Sequence, residues 1–438
     1  MQSIMDTSAS RKTKLTTTAI ALLIFGPLLL LTIQYNRVPE QRFAIFATTN
    51  KGNTSYPTQN CEEEWFPARH WTRQSHHLPN VTHHGKQMYG TLEAQHVIWN
   101  HQHPSSCHDK KFLLYAALGR DHGIGSSVHV AGVALQAALN LNRILVLSPQ
   151  PNFEWNNGEY CKGMDTIDEC YFEPLSSCTI YDVLGGMEFS NETLGRFPEL
   201  NVDTYKENSE RVLRSAVFEM GTGVVPFLWR QTPVMFHGLL KSGGVKESFY
   251  YWWRAQAAAY LVRPTPRTLR ELDRRRKAVF GGRRIEPGTV SVHVRHGDKW
   301  KENALADDAT FLRSAEAMVK RDPEGLKHRI FLSTEDPKTV RWFSNLSDWT
   351  VEYTNVSRDA YKDRTVGPED FAAQIGWDEE FLNSLLSLQL ALECDGFVGA
   401  ITSNWNRLID ELRSTVRCKH DHLYADVVQG FDVTDYNW

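Results

Sequence analysis

The sequence predicts an α/β protein of two Rossmann-like parallel-sheet units facing a cleft, carried behind an N-terminal transmembrane helix and a stem. Three observations lead there: an uncharged apolar run near the start, a strand–glycine loop–helix–strand unit after residue 111, and a second strand–helix alternation after residue 286. At 438 residues the chain is long for a single core. Its 41% hydrophobic and 23% charged residues describe a globular protein and not a disordered one. A formal net charge of -4 gives no strong electrostatic bias and argues against nucleic acid as a partner.

The nineteen residues Leu15 to Ile33 carry no charge, and as a helix they reach about 28 Å, against a hydrocarbon core of roughly 30 Å. Arg11, Lys12 and Lys14 precede the run, which predicts a cytosolic tail (1–14), an anchor (15–33) and a lumenal remainder. No small-residue cleavage site closes the run, so an uncleaved anchor is expected over a signal peptide. Sequons at Asn53, Asn80, Asn191, Asn345 and Asn355 all follow the anchor. Seven cysteines (61, 107, 161, 170, 178, 394 and 418) form no CxxC pair, so structural disulfides are expected over metal binding. The odd count leaves one over, expected to be Cys61.

Residues 34–105 are polar, rich in His, Asn, Gln and Thr, and read as a stem. Glu62 to Trp71 and Leu92 to Trp99 hold enough aromatics to fold back onto the head. The first α/β unit, 106–285, starts with the apolar strand Phe112 to Leu118, a loop containing Gly123-Ile124-Gly125, an Ala- and Leu-rich helix, and the strand Arg143 to Leu147. A helix over Glu247 to Val262 stops at Arg263-Pro264-Thr265-Pro266, where proline lacks an amide and disfavours helix in the residue before it. The next helix carries the basic run Arg274 to Lys277, expected to be a solvated face. The second unit, 286–438, has strands at Thr289 to Arg295, Arg329 to Thr334 and Gly396 to Ala400, with helices at Phe381 to Leu392 and Ser403 to Arg413.

In open α/β sheets ligands bind beyond the carboxyl ends of the strands, which singles out three clusters. His293, Arg295, His296, Asp298 and Lys299 leave a buried strand together. Arginine there suits a diphosphate, because its planar fork pairs two oxygens; the bland reading is a turn with an Arg295–Asp298 salt bridge. Gly123 and Gly125 stand where backbone amides approach a pyrophosphate, although plain turn chemistry explains them equally well. Ser333-Thr334-Glu335-Asp336 and Thr402-Ser403-Asn404 end two strands, where helix capping is the competing explanation.

Five stretches in this order resemble the core α1,6-fucosyltransferases, relatives of the rhizobial nodulation fucosyltransferases: GIGSSVHVAGVALQAALNLNRILVL, YYWWRAQAAAYLVRPTP, VSVHVRHGDK, FLSTEDP and ECDGFVGAITSNWNRL. The resemblance spans about Cys107 to Arg413. It implies an inverting, metal-independent Golgi enzyme of the GT-B arrangement, without a cofactor, moving fucose from GDP-fucose to a glycan, plausibly the core GlcNAc of an N-glycan. Carried over by position, Arg295 grips the β-phosphate and His293 helps hold the nucleotide. Thr402 and Ser403 meet the diphosphate, Gly123 and Gly125 close over it, and His296, Asp298 and Arg407 complete the donor set. Glu335 and Asp336 face the acceptor. Glu302 is the base, with Lys299 as its partner, and Cys107 pairs with Cys178. His296 stands where the family has a second arginine, Glu302 sits one residue before the family base, and Ser387 lies near a guanine-reading aspartate. The SH3-like domain and coiled-coil stem of core fucosyltransferases are not expected. Two alternatives share these features: an inverting transferase with another nucleotide sugar or a protein acceptor, and a lumenal glycan-binding protein without turnover.

Overall fold

The computed structural model describes residues 58–61, 85–115, 123–149, 154–215, 231–301, 304–361 and 366–431, all within one compact unit of the chain, 52–438. The anchor segment 15–33, Glu302, Asn53 and Asn80 lie outside the described residues. Among the described residues no helix is long and apolar enough to cross a membrane.

Two parallel sheets form the frame. In the first, β3 (Phe112–Tyr115) lies between β4 (Ile144–Leu147) and β5 (Val212–Ser215), with Leu113 opposite both Leu145 and Leu213. In the second, β6 (Val290–Val294), β7 (Arg329–Thr334), β8 (Thr350–Tyr353), β9 (Gly396–Gly399) and β10 (Tyr424–Asp426) are ordered β10-β9-β6-β7-β8, all parallel. Every residue of β6 is buried, as expected of a central parallel strand covered on both faces. The order reverses between β6 and β9, so the carboxyl ends of those two strands flank the topological switch point. A small antiparallel pair, β1 (Thr58–Asn60) with β2 (Lys86–Met88), stands apart from both sheets.

Eight helices position the site. Helix α1 (Thr91–Gln102) covers the Leu92 to Trp99 stretch of the stem expected to fold onto the head: Ala94 and Ile98 are buried and its Gln95 Nε2 donates to the Gln256 carbonyl at 2.8 Å. Helix α2 (Ile124–Asn140) follows Gly123; α3 (Tyr250–Leu261) and α4 (Pro266–Phe280) follow the first sheet. Helices α5 (Asp308–Arg321), α6 (Pro337–Ser344), α7 (Trp377–Glu393) and α8 (Asn404–Ser414) belong to the second. All of α3 is buried, its aromatic and Ala residues filling the core while its two strongly polar residues, Arg254 and Gln256, are paired with Glu411 and Gln95. Trp252 Nε1 donates to the Tyr89 carbonyl at 2.7 Å and Trp253 Nε1 to that of Gly132 at 3.2 Å, so both indoles fill the core with their polar edges satisfied.

Two expectations change here. Cys61 is not the odd cysteine: it is bonded to Cys418, beside pairs Cys107–Cys178 and Cys161–Cys170. Gly85 permits the approach, since a Cβ there would overlap the Cys418 carbonyl oxygen at 2.1 Å. The free thiol is Cys394, buried after α7, its Sγ donating to the Leu390 carbonyl at 3.4 Å. The basic run on α4 is only half solvated. Arg274 and Lys277 are exposed, but Arg275 reaches Glu379 and Arg276 pairs with Glu393, tying α4 to α7.

Candidate active site

Arg295 emerges from β6 directly beside the switch point. Its guanidinium donates to Glu335 Oε1 at 2.7 Å and to Asp298 Oδ1. The turn salt bridge offered as the bland reading is therefore present, with a second carboxylate added from the end of β7. Burial alone would push the Arg295 pKa down; the two carboxylates outweigh it and raise it, fixing the guanidinium as a cation. Gly297, at φ 28, makes room: a Cβ there would lie 2.0 Å from the Arg295 guanidinium. The short 3-10 turn Gly297–Lys301 follows, its start closed by Lys299 N donating to the His296 carbonyl at 3.0 Å.

His293 sits one residue before the end of β6, 6% exposed, and its Nδ1 has no hydrogen-bond partner among the described residues. Burial lowers its pKa to about 4, so the ring is neutral near pH 7. His296 has a different post from the donor role read for it. It is buried behind the loop, with Nε2 on the Ala306 carbonyl at 3.0 Å and Nδ1 near Asp336 Oδ2 and Thr339 Oγ1, each at 3.2 Å. Asp336 likewise caps α6, accepting from Lys338 N at 2.8 Å, so of the Glu335–Asp336 pair it is Glu335 that reaches Arg295.

Across the switch point, Thr402 and Ser403 lead from β9 into α8, with Ser403 as the N-cap. Arg407 folds back over this start, donating to the Ile401 carbonyl at 2.6 Å and Asn404 Oδ1 at 3.0 Å. The first turn of α2 meets the first turn of α8. A Cβ on Gly125 would lie 2.8 Å from Asn404 C and Trp405 N, and His129 Nδ1 is 2.9 Å from Asn404 Oδ1. Two helix N-termini, each with backbone amides lacking intrahelical partners, are thus brought to one place, a natural anion site. The structure brings together Gly123, Gly125, Thr402, Ser403 and Arg407 on one side, and His293, Arg295, Asp298 and Glu335 on the other.

Other residues at this level escaped the sequence reading. Glu380, in the first turn of α7, accepts from Ser384 Oγ at 3.2 Å and faces Arg358 and Glu335. Burial raises its pKa to about 8. Arg358 is locked by the carbonyls of Thr334, Thr354 and Val356 at 2.8–2.9 Å. Beyond the α2 start, an apolar pocket at the ends of β3 and β4 is lined by Tyr115, Ile124, Ser148, Trp155, Phe172 and Phe381. These residues come from distant positions and carry no local motif. Among the described residues, no group of three or more His, Cys, Asp or Glu side chains is arranged to hold a metal ion.

Solved structures similar to the chain include two fucosyltransferases. The fucosyltransferase NodZ from Bradyrhizobium shares 13% identity over 69% of this chain and 93% of its own, with a TM-score of 0.38. A mutant of Arabidopsis thaliana FUT1 in complex with GDP shares 11% identity over 82% of this chain and 80% of its own, with a TM-score of 0.40. The sequence profile described as "Alpha-(1,6)-fucosyltransferase N- and catalytic domains" matches residues 81–357, more than half of the chain. The chain is a glycosyltransferase that belongs to the alpha-(1,6)-fucosyltransferase family.

Proposed function

We propose that this enzyme transfers fucose from GDP-fucose to a glycan, with the core GlcNAc of an N-glycan as the acceptor and inversion at the transferred carbon. The observation that carries this reading is the meeting of the α2 and α8 N-termini beside Arg295 at the switch point. A nucleoside diphosphate leaving group gathers negative charge as the glycosidic bond breaks. Backbone amides and a fixed guanidinium aimed at that charge stabilise the transition state without moving. The same positive groups take the part a metal ion would play, so the transfer is metal-independent. The two sheets act as the halves of a GT-B cleft, corresponding to 106–285 and 286–438.

Inverting attack requires a base on the acceptor hydroxyl. From the family resemblance, Glu302 takes that proton and Lys299 orients it. Asp298 and Glu335 hold Arg295 until the diphosphate competes for it. The head is lumenal, in the Golgi, anchored through 15–33 as a type II protein. Exposed sequons at Asn191, Asn345 and Asn355, together with three disulfides, support that placement.

The test is nucleotide release by the full-length protein with GDP-fucose, GDP-mannose, UDP-GlcNAc and UDP-xylose. GDP-fucose selectivity is expected, with Arg295→Ala slower by roughly 10²–10³-fold, as for other lost oxyanion donors. Equal release from all four donors, or from none, overturns the assignment.

A further inference from the structure

Trp300 is out of keeping with the rest of the fold. It is 53% exposed, the single described tryptophan that is exposed; Trp155, Trp252, Trp253 and Trp349 are buried, and the others described are half-buried. An indole more than half exposed forgoes much of the hydrophobic gain of burial. It stands in the Gly297–Lys301 turn, five positions after Arg295 and next to Lys299. Two linking steps of at most about 3.4 Å and three of about 2 Å in the 3-10 turn put its Cα within roughly 13 Å of that of Arg295. The backbone beneath it is held by the Lys299–His296 hydrogen bond and by the Arg295–Asp298 pair, so the indole is presented on a fixed turn and not on a loose loop.

The geometry points to Trp300 as a platform on which a sugar ring of the acceptor glycan stacks, setting acceptor specificity. This rests on Arg295 holding the donor diphosphate, as proposed above. In an inverting transfer the attacking hydroxyl approaches the carbon bonded to that diphosphate from the side away from the diphosphate, and an exposed side chain on the turn beyond Arg295 is placed to meet the acceptor sugar or its neighbour at the rim. A pyranose has one face of C–H groups that packs on an indole, while its hydroxyls need polar partners at the edge. Trp300 supplies the flat apolar surface, and the half-buried Asp298 and Lys299 beside it supply the acceptor and donor groups. Exposure at the rim also fits the ligand. Arg295 is 17% exposed on the floor, a place for a small anion to be desolvated. Trp300 faces water, suited to a branched glycan that leaves most of itself in solvent.

The experiment measures binding of chitotriose and of a free N-glycan to the full-length protein, with and without saturating GDP, for wild type, Trp300→Ala and Trp300→Phe. GDP affinity is measured alongside. Glycan affinity is expected to fall at least about tenfold in Trp300→Ala, to recover mostly in Trp300→Phe, and to leave GDP affinity within twofold of wild type. Unchanged glycan affinity in Trp300→Ala overturns the inference. 5-Fluorotryptophan labelling of the unsubstituted protein gives a second reading, with the Trp300 resonance assigned from the phenylalanine variant. It should shift on adding chitotriose, and a resonance that stays in place counts against the platform. Glycan binding that depends on Trp300 without turnover of GDP-fucose would remove the donor assignment and keep this one. Turnover with the same acceptor KM in Trp300→Ala would do the reverse.

Discussion

Glu380 illustrates how a single side chain can be set by its surroundings. It lies one turn into α7, where a carboxylate ordinarily gains from the helix N-terminus. Burial acts against ionisation here and, with Glu335 and Glu379 nearby, outweighs the help from Ser384 and Arg358, bringing the pKa to about 8. The sign of the consequence is definite. A carboxyl whose folded pKa lies above its ordinary 4.5 favours the folded state most at low pH, and that contribution is lost as pH rises from there through about 8. Glu380→Gln should therefore melt close to wild type at pH 4.5 and progressively above it towards pH 8.5. Melting curves that stay parallel across this range would show that the carboxyl titrates normally. Arg295 was legible because charge bursts from a buried strand; Glu380 was not, because a glutamate in an acidic first turn reads as a solvated one.

Among the elements, the contact of α2 with α8 places the tightest demand on sequence. The ideal Cβ of Gly125 meets backbone atoms of Asn404 and Trp405 at 2.8–2.9 Å, and backbone does not swing aside as a side-chain tip would. Gly132, two turns further along the same face, would meet the Ala257 Cβ at 3.2 Å and no backbone atom among the described residues. Gly125→Ala should then lower stability by about 1–3 kcal/mol through overpacking and weaken GDP binding by separating the two N-termini. Gly132→Ala should nearly balance mild crowding against a gain in helix propensity of about 1 kcal/mol. Thermal melts and GDP titration of both variants check this; equal effects would mean that the close approach is unimportant. Strands β3, β4, β6, β7 and β9 could be read from sequence because their buried residues leave short, largely apolar runs. The edge strands β5, β8 and β10 could not. They span three or four residues, and β8 is exposed or half-buried throughout, so nothing apolar marks it. The glycine pair was visible but ambiguous, since its partner lies about 280 residues away and only tertiary structure distinguishes a turn glycine from one under a neighbouring helix.

At the level of the whole molecule, the two sheets are joined through a buried charge cluster that no local pattern announces. Glu411 on α8 accepts from Arg254 Nε of α3 at 3.1 Å and lies 2.9 Å from His129 Nε2 of α2, with Arg254 and Glu411 at most 4% exposed and His129 8% exposed. Burial would raise the Glu411 pKa; His129 and Arg254 outweigh it, and the net shift is downward. The linkage runs opposite to that of Glu380. A depressed carboxylate stabilises the fold above its ordinary pKa, and this contribution is lost as pH falls through the folded value. Acid should consequently loosen the junction of α2, α3 and α8 below about pH 4.5, and with it the donor site those helices build. Glu411→Gln keeps the shape but removes the charge, leaving the Arg254 guanidinium buried without its carboxylate. Breaking one partner of such a pair costs about 3–5 kcal/mol, whereas replacing the pair with apolar residues costs far less. Denaturant unfolding of Glu411→Gln should show that loss at pH 7 and a smaller difference from wild type at pH 4, and the double variant Arg254→Met/Glu411→Leu should recover much of it. A single substitution with no cost at pH 7 would mean that apolar packing alone joins the sheets. In that case the position of α8 against α2, and so the anion site, would not depend on charge.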